Sequence, residues 1–219
     1  MKLFGHYVSS ATERVRLGFA LKNLDYDYVS VREIGWDAYE EVNPNRLVPA
    51  LQVGDDLIPQ SNAILHYLEE QFPEPSLFPT DPVVRAQARA FAQHIVCEMH
   101  AVDVLRIRKF LNSSLDVDEA GLRKWSDHWF RDGFVKMEQA MVARSTGFAF
   151  CYGEHPGWAD LHLVPHMRKA VTRFDVDVQQ FPTIHEIYTR CVDLPAFIKA
   201  APVSQPDYPG AIDNPGLEN

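Results

Sequence analysis

The sequence predicts a small α/β domain followed by an all-helical domain, and three observations predict it. Over the first 80 residues short apolar runs alternate with amphipathic stretches, the pattern of strands interleaved with helices. Residues 72–82 then hold Pro73, Pro75, Pro79 and Pro82. Prolines at that density neither continue a helix nor pair in a central strand, so this stretch is a linker. Beyond it strand signals nearly vanish and helical spacing takes over. The expected boundaries are 1–78 for the first domain, 83–203 for the helical domain and 204–219 for an extended C-terminal tail. That tail carries three prolines and two glycines.

Taken in order, residues 2–7 read as a buried strand. Residues 12–24 read as a helix with Val15, Phe19 and Leu21 on its inner side. Residues 26–31 alternate as a second strand, and 36–42 suit a short irregular helix. Residues 50–53 and 56–58 flank Gly54-Asp55, a turn pair that suggests a tight hairpin. Residues 61–71 form an amphipathic helix with Ile64, Leu65 and Leu68 on one face. The order βαβ, short helix, ββ, α describes a mixed four-stranded sheet with helices packed on it, the thioredoxin-like layout. In the second domain, residues 83–111 contain neither Gly nor Pro and read as one very long helix. Residues 118–143, 158–174, 183–192 and 196–200 complete a helical bundle.

Composition narrows the function. With 46% hydrophobic and 23% charged residues, the chain buries a core and is not disordered. A formal net charge of −9 argues against nucleic acid as partner, yet leaves room for a local cationic pocket. No run approaches the ~18–20 apolar residues of a membrane span, and no basic start precedes an apolar stretch. A cytoplasmic protein is the expectation. Cys97, Cys151 and Cys191 are far apart and form no C-x-x-C pair, which sets aside disulfide frameworks, a thiol redox pair and a zinc ribbon. Each reads as a small core residue. His162 and His166 have the i, i+4 spacing of a zinc motif, but no glutamate follows the first and Pro165 intervenes, so no metal is expected.

Four segments stand out. Ser9-Ser10-Ala11-Thr12-Glu13-Arg14-Val15-Arg16 directly follows the first strand. A thiol near pKa ~8.5 must ionise to act as a nucleophile, and lowering that by ~2 units takes ~2.7 kcal/mol. Hydroxyl donors and free N–H groups at a helix N-terminus supply such stabilisation. The same serines also suit plain helix capping. The second segment, Asn43 through Leu51, contains Val48-Pro49, a proline in a turn or at a strand edge. The third is Gln60-Ser61, where Ser61 reads as an N-cap and the helix start as a carboxylate site. The fourth, Tyr152 through Asp160, places Gly157 three residues before Asp160 as a relaxed capping box.

Together these segments resemble the soluble glutathione transferases, and within them the zeta class, the maleylacetoacetate and maleylpyruvate isomerase type. The resemblance spans the chain up to the tail. It implies that glutathione is the cofactor and that Ser9, supported by Ser10, is catalytic, donating to the glutathione sulfur. It implies a cis bond at Val48-Pro49, whose backbone pairs with glutathione like an added strand. Gln60 and Ser61 would hold the γ-glutamyl end. His100 would contact glutathione or, with Arg106 and Arg173, a dicarboxylate or other electrophilic substrate. In the implied reaction a thiolate adds to a cis double bond, the bond rotates, and elimination returns the trans isomer. A homodimer acting in aromatic amino acid catabolism completes the implication.

Departures from the class pattern keep other readings open. Ala11 replaces a cysteine, Glu13 an aromatic or His, and Val8 an arginine. They favour a general conjugating or dehalogenating transferase, while a non-catalytic binding protein of the same fold would have lost the Ser9 hydroxyl. Arg106 also suits an i, i+3 pair with Asp103, His100 an interior histidine, and Arg173 a helix C-terminal cation.

Overall fold

In the computed structural model, which describes residues 1–144, 147–174 and 176–211, four strands form one mixed sheet in the order β2-β1-β3-β4. They are β1 (Lys2–Gly5), β2 (Asp27–Ser30), β3 (Ala50–Val53) and β4 (Asp56–Pro59). β1 and β2 run parallel, as the intervening helix α1 (Ser10–Leu21) requires. β3 runs antiparallel to both β1 and β4. The β3–β4 hairpin turns at Gly54, whose φ of 61° suits glycine. The helices α2 (Val31–Ile34), α3 (Trp36–Val42) and α4 (Ser61–Gln71) complete the thioredoxin-like arrangement. Helix α2 was not expected: Ser30, read as strand, caps it by accepting from Glu33 N at 3.2 Å.

Successive strand residues face opposite ways, and the core follows. Leu3, Leu51, Ile64, Leu65 and Leu68 are fully buried. Phe4, Val31, Tyr39 and Ala50 form a cluster with Trp36 and Val48 against it. A Cβ on Gly18 would stand 2.3 Å from Leu65 Cδ2, so glycine there lets α1 and α4 approach. Lys22 donates to Phe72 O (2.6 Å) and Pro75 O (2.9 Å) and pairs with Glu69 (2.7 Å), which ties the start of the proline-rich linker to the end of α1.

The chain divides into two units, residues 1–77 with 192–211, and residues 78–191. The C-terminal grouping differs from the expected 83–203 domain and free tail. Helix α10 (Pro195–Ala200) is fastened to α1 by Arg16 Nε donating to Ala200 O at 2.9 Å. A 3-10 turn at Pro202–Ser204 follows, and Gln205 and Asp207 are buried. Prolines and polar residues concealed this from a reading based on apolar spacing. The rest of the expected tail, 212–219, lies outside the described residues.

The second unit contains α5 (Pro82–His94), α6 (Leu105–Leu115), α7 (Glu119–Ala143), α8 (Trp158–Arg173) and α9 (Pro182–Val192). Asp81 caps α5 by accepting from Val83 N and Val84 N, both at 2.9 Å, and Asp118 caps α7 through Gly121 N at 2.8 Å. Glu138 of α7 caps α9, accepting from Thr183 N and Ile184 N at 2.9 Å each. Asp160 bridges Cys151 N (3.0 Å) and Gly157 N (2.9 Å), the half of the capping box that needs a side chain. Cys151 and Cys191 are buried as expected, but Cys97 is exposed.

The expected single helix over 83–111 is broken. α5 passes into a π-helical segment, Ile95–His100, and the chain leaves the helix before α6 begins at Leu105. Tertiary contacts hold the break. Trp125 Nε1 donates to Val102 O (2.8 Å), and buried Asp103 accepts from Ser126 Oγ and Lys169 Nζ, each at 2.5 Å. Removing that carboxylate strands a mostly buried ammonium. Asp103→Ala should therefore destabilise the helical unit by about 3–5 kcal/mol. Urea unfolding followed by fluorescence of Trp125, Trp129 and Trp158 checks it. The double variant Asp103→Leu/Lys169→Met should lose less than the single one, because no charge is left unpaired.

Candidate active site

The sheet register brings three of the expected segments to one end of the first unit. Ala50 pairs with Phe4 of β1 and with Pro59 of β4. The residues after β1, those before β3 and those after β4 therefore emerge on the same side. They are the Ser9-Ser10 segment, Val48-Pro49 and Gln60-Ser61.

Ser9 N donates to His6 O at 3.1 Å, closing a turn over residues 6–9. Ser9 then caps α1, its Oγ accepting from Thr12 N at 3.2 Å. The capping alternative is thus realised, and it leaves the donor role open. A hydroxyl that accepts through a lone pair still has its proton to give. Ser9 is half-buried; Ser10, the first helical residue, is buried. The helix start adds positive potential. Five residues on, the buried Arg14 keeps its charge at neutral pH although burial lowers its pKa to about 10, and its Nε and Nη1 have no hydrogen-bond partner.

The Val48-Pro49 bond is cis. Pro49 is buried and Val48 half-buried, immediately before the ladder begins at Ala50. Ser61 is the first residue of α4 rather than its cap. Gln60 occupies the cap position at φ 73°, a left-handed conformation uncommon for a residue with a side chain. The Gln60 side chain makes no capping hydrogen bond to α4. An uncapped helix start next to a strained backbone suits an anionic group better than it suits the fold.

The second unit holds the other expected residues. His100 ends the π-helical segment, its ring 5.4 Å from that of His166 in an edge arrangement. Arg106 lies exposed in the first turn of α6, and Arg173 is the last residue of α8. Asp103, the partner that the alternative reading gave Arg106, engages Lys169. Lys169 itself is mostly buried. Burial lowers its pKa, Asp103 opposes this, and the nearby charges of Arg173 and Arg108 add to the lowering. Buried Arg108 lies over the Phe174 ring at 5.8 Å, and its Nε has no hydrogen-bond partner. Lys169 Nζ faces the same ring at 5.3 Å. Arg108 and Arg173 thus stand near Lys169, which Asp103 pairs directly. Sequence reasoning singled out only Arg173 of these; Lys169, four residues before it on α8, was the available signal.

His162 and His166 donate Nδ1–H to the carbonyls of Trp158 (2.7 Å) and His162 (3.1 Å), as helix-interior histidines do. Among the described residues no group of three His, Cys, Asp or Glu side chains is placed to hold a metal ion, and no helix is long and apolar enough to cross a membrane.

Comparison with known proteins agrees with this geometry. The model of the glutathione S-transferase N-terminal domain matches residues 3–76. A maleylpyruvate isomerase from Ralstonia sp. is 36% identical over 211 residues, covering 94% of this chain and 99% of the relative. The holo structure of a maleylpyruvate isomerase, described as a bacterial zeta-class glutathione S-transferase, superposes with a TM-score of 0.89 at 35% identity, covering 94% of this chain and 99% of that one. The maleylacetoacetate isomerase of Methylobacterium extorquens AM1, solved with bound malonate and GSH, also gives a TM-score of 0.89, at 31% identity and with 95% of this chain and 100% of that one covered. With its register, its cis Val48-Pro49 turn and its near full-length identity to these proteins, the chain belongs to the zeta class of the glutathione S-transferase family.

Proposed function

We propose that the chain is a glutathione-dependent cis–trans isomerase of a conjugated dicarboxylate of the maleylpyruvate or maleylacetoacetate kind. The observation that carries this is the shared sheet end, where a hydroxyl with an unused proton, a cis-proline turn and an uncapped helix start fit the three parts of glutathione. Ser9 donates to the sulfur, with Ser10 in support. The backbone of Val48, ahead of Pro49, pairs with the cysteinyl part in the manner of an added strand. Gln60, Ser61 and the start of α4 take the γ-glutamyl carboxylate. Bound glutathione supplies the thiolate that makes the cis double bond rotatable.

The diacid falls to His100, Arg106 and Arg173 of the helical unit. Arg binds a carboxylate bidentately, and positive charge stabilises the enolate that develops during the reaction. Arg108 and Lys169 add positive charge near Arg173. Ala11 leaves no protein thiol at the motif, so the cofactor sulfur is the nucleophile. The same reading carries a cytoplasmic homodimer. The three unpaired cysteines suit a reducing compartment, and Val135 and Val142, seven residues apart on α7, leave an exposed apolar face.

Ser9→Ala should keep the fold and raise the pKa of the bound thiol by ~1–2 units, the equivalent of one hydrogen bond to a charged group. A thiolate absorbance titration reads this, and equal values in both proteins would remove Ser9 from the catalytic role. Glutathione at millimolar concentration should raise the melting temperature, and Ser61→Ala should reduce that rise.

Arg106→Ala and Arg173→Ala should each lower maleylpyruvate turnover ~10²-fold, as expected for losing ~2–3 kcal/mol, and leave conjugation of a neutral aryl halide nearly unchanged. The ratio of the two activities is the measurement. Should both fall together, or should the diacid never turn over, the general conjugating transferase takes the place of the isomerase.

A further inference from the structure

We propose that Asp207, in the C-terminal segment, is a positioning residue for Ser9: it holds the turn that aims the Ser9 hydroxyl. The proposal rests on the reading of Ser9 given above. Tyr7 lies within the turn closed by Ser9 N and His6 O. Both of its backbone groups are engaged by side chains tied to the C-terminal segment. Tyr7 N donates to Asp207 Oδ2 at 3.1 Å. Tyr7 O accepts from Arg16 Nη2 at 3.0 Å, and Arg16 Nε in turn donates to Ala200 O at 2.9 Å. The peptide two residues before Ser9 is therefore clamped from both sides by groups held within residues 200–207.

Asp207 is itself held from several directions. Its Oδ2 also accepts from Ser30 Oγ (3.0 Å) and Tyr28 OH (3.2 Å), both on the neighbouring strand β2. Burial pushes the Tyr28 phenol well above its ordinary pKa, and Asp207 adds to that, so Tyr28 stays a donor. Arg32 Nη1 donates to the Asp207 carbonyl (3.1 Å), and the ring of Tyr208 meets that of Tyr7 edge-on at 5.8 Å. At 4% exposure the carboxylate is out of solvent, so water replaces these contacts poorly if they are lost.

The consequence for Ser9 is geometric. On its helix side the hydroxyl is fixed by Thr12 N. On its strand side the 6–9 turn leads into it, and that turn is held at Tyr7 by Asp207 and Arg16, with Val8 N also donating to His6 Nδ1 at 3.4 Å. Loosening Tyr7 lets the hydroxyl drift from the sulfur it serves, and a misplacement of ~1 Å can cost ~10²-fold in rate.

The test compares full-length wild type, Asp207→Ala, Ser9→Ala and the double variant, at a temperature where circular dichroism shows all four folded. The readouts are the pKa of bound glutathione by thiolate absorbance, and kcat and KM with maleylpyruvate. Asp207→Ala should raise the thiol pKa and, at a pH below both thiol pKa values, lower kcat about tenfold, the loss of thiolate that a rise of ~1 unit gives there, with KM for glutathione changed far less. Because Asp207 acts through Ser9, the double variant should be no worse than Ser9→Ala. An Asp207→Ala protein with a lower melting temperature but wild-type thiol pKa and kcat would reduce Asp207 to a fold anchor and overturn the proposal. A double variant whose losses multiply would do the same. If Asp207→Ala does not fold, Tyr28→Phe removes one donor from Oδ2 and should shift the thiol pKa in the same direction by less; no shift overturns the proposal. If Ser9→Ala itself leaves the thiol pKa unchanged, the Ser9 reading and this proposal fall together, whereas a shift in Ser9→Ala without one in Asp207→Ala removes the proposal alone.

Discussion

The antiparallel pairing of Ala50 with Phe4 on one side and Pro59 on the other is the constraint on which the glutathione end of the molecule depends. A slip of one residue would turn every side chain of β3 to the opposite face. Side-chain size opposes it: Ala50 and Leu51 are both fully buried, on opposite faces of the sheet, and a slip would put Ala50 or Gln52 where Leu51 fits. Each large apolar side chain buried in this way contributes about 1.5–3 kcal/mol. The energy that folds the first unit is thus the same energy that sets Ser9, Val48-Pro49 and Gln60-Ser61 side by side. Residues 192–211 add to this unit from the far end of the sequence, and the contacts of Asp207 and Arg16 with Tyr7 reach the same sheet end.

The two units handle charge by different means. The first offers an anion mainly neutral donors in fixed directions: a serine hydroxyl, the start of α1 and the uncapped start of α4. Such dipoles need no counter-ion and little reorganisation, which suits a thiolate that must form and be consumed repeatedly. The second gathers full charges, with Arg108 and Arg173 near the Lys169–Asp103 pair. Asp103 has a second part here, since the contacts that neutralise Lys169 also hold the break between α5 and α6. The helical bundle and its charge distribution are therefore coupled through one buried side chain.

Ser9 shows how a structural role and the chemical role proposed for it are compatible in one side chain. Its oxygen accepts from Thr12 N to start α1, and its proton remains to be given elsewhere. Capping and catalysis were competing readings of the sequence, and the geometry makes them compatible. Gln60 is the opposite case: its left-handed backbone and its lack of a capping bond are costs to the fold that a bound γ-glutamyl group would offset.

Local patterns alone determined much of this protein. The strand order of the first unit, the Gly54 hairpin, the linker, α1, α3, α4 and α8 all follow from apolar spacing, turn residues and prolines, which act over a few residues. The segments around Ser9, Val48-Pro49 and Gln60-Ser61 were legible through their resemblance to the zeta class, which short contiguous motifs carry. Only the tertiary structure decided the rest. Residues 83–111 have uninterrupted helical propensity, yet the helix breaks because Asp103 meets Ser126 and Lys169, partners 23 and 66 residues away. The C-terminal segment has no apolar period, yet Asp207 is buried because Tyr7 N, Tyr28 OH and Ser30 Oγ, up to 200 residues distant, converge on one oxygen. Polar residues carry no periodicity that announces burial, and their positions are settled by hydrogen-bond partners that the sequence does not place beside them.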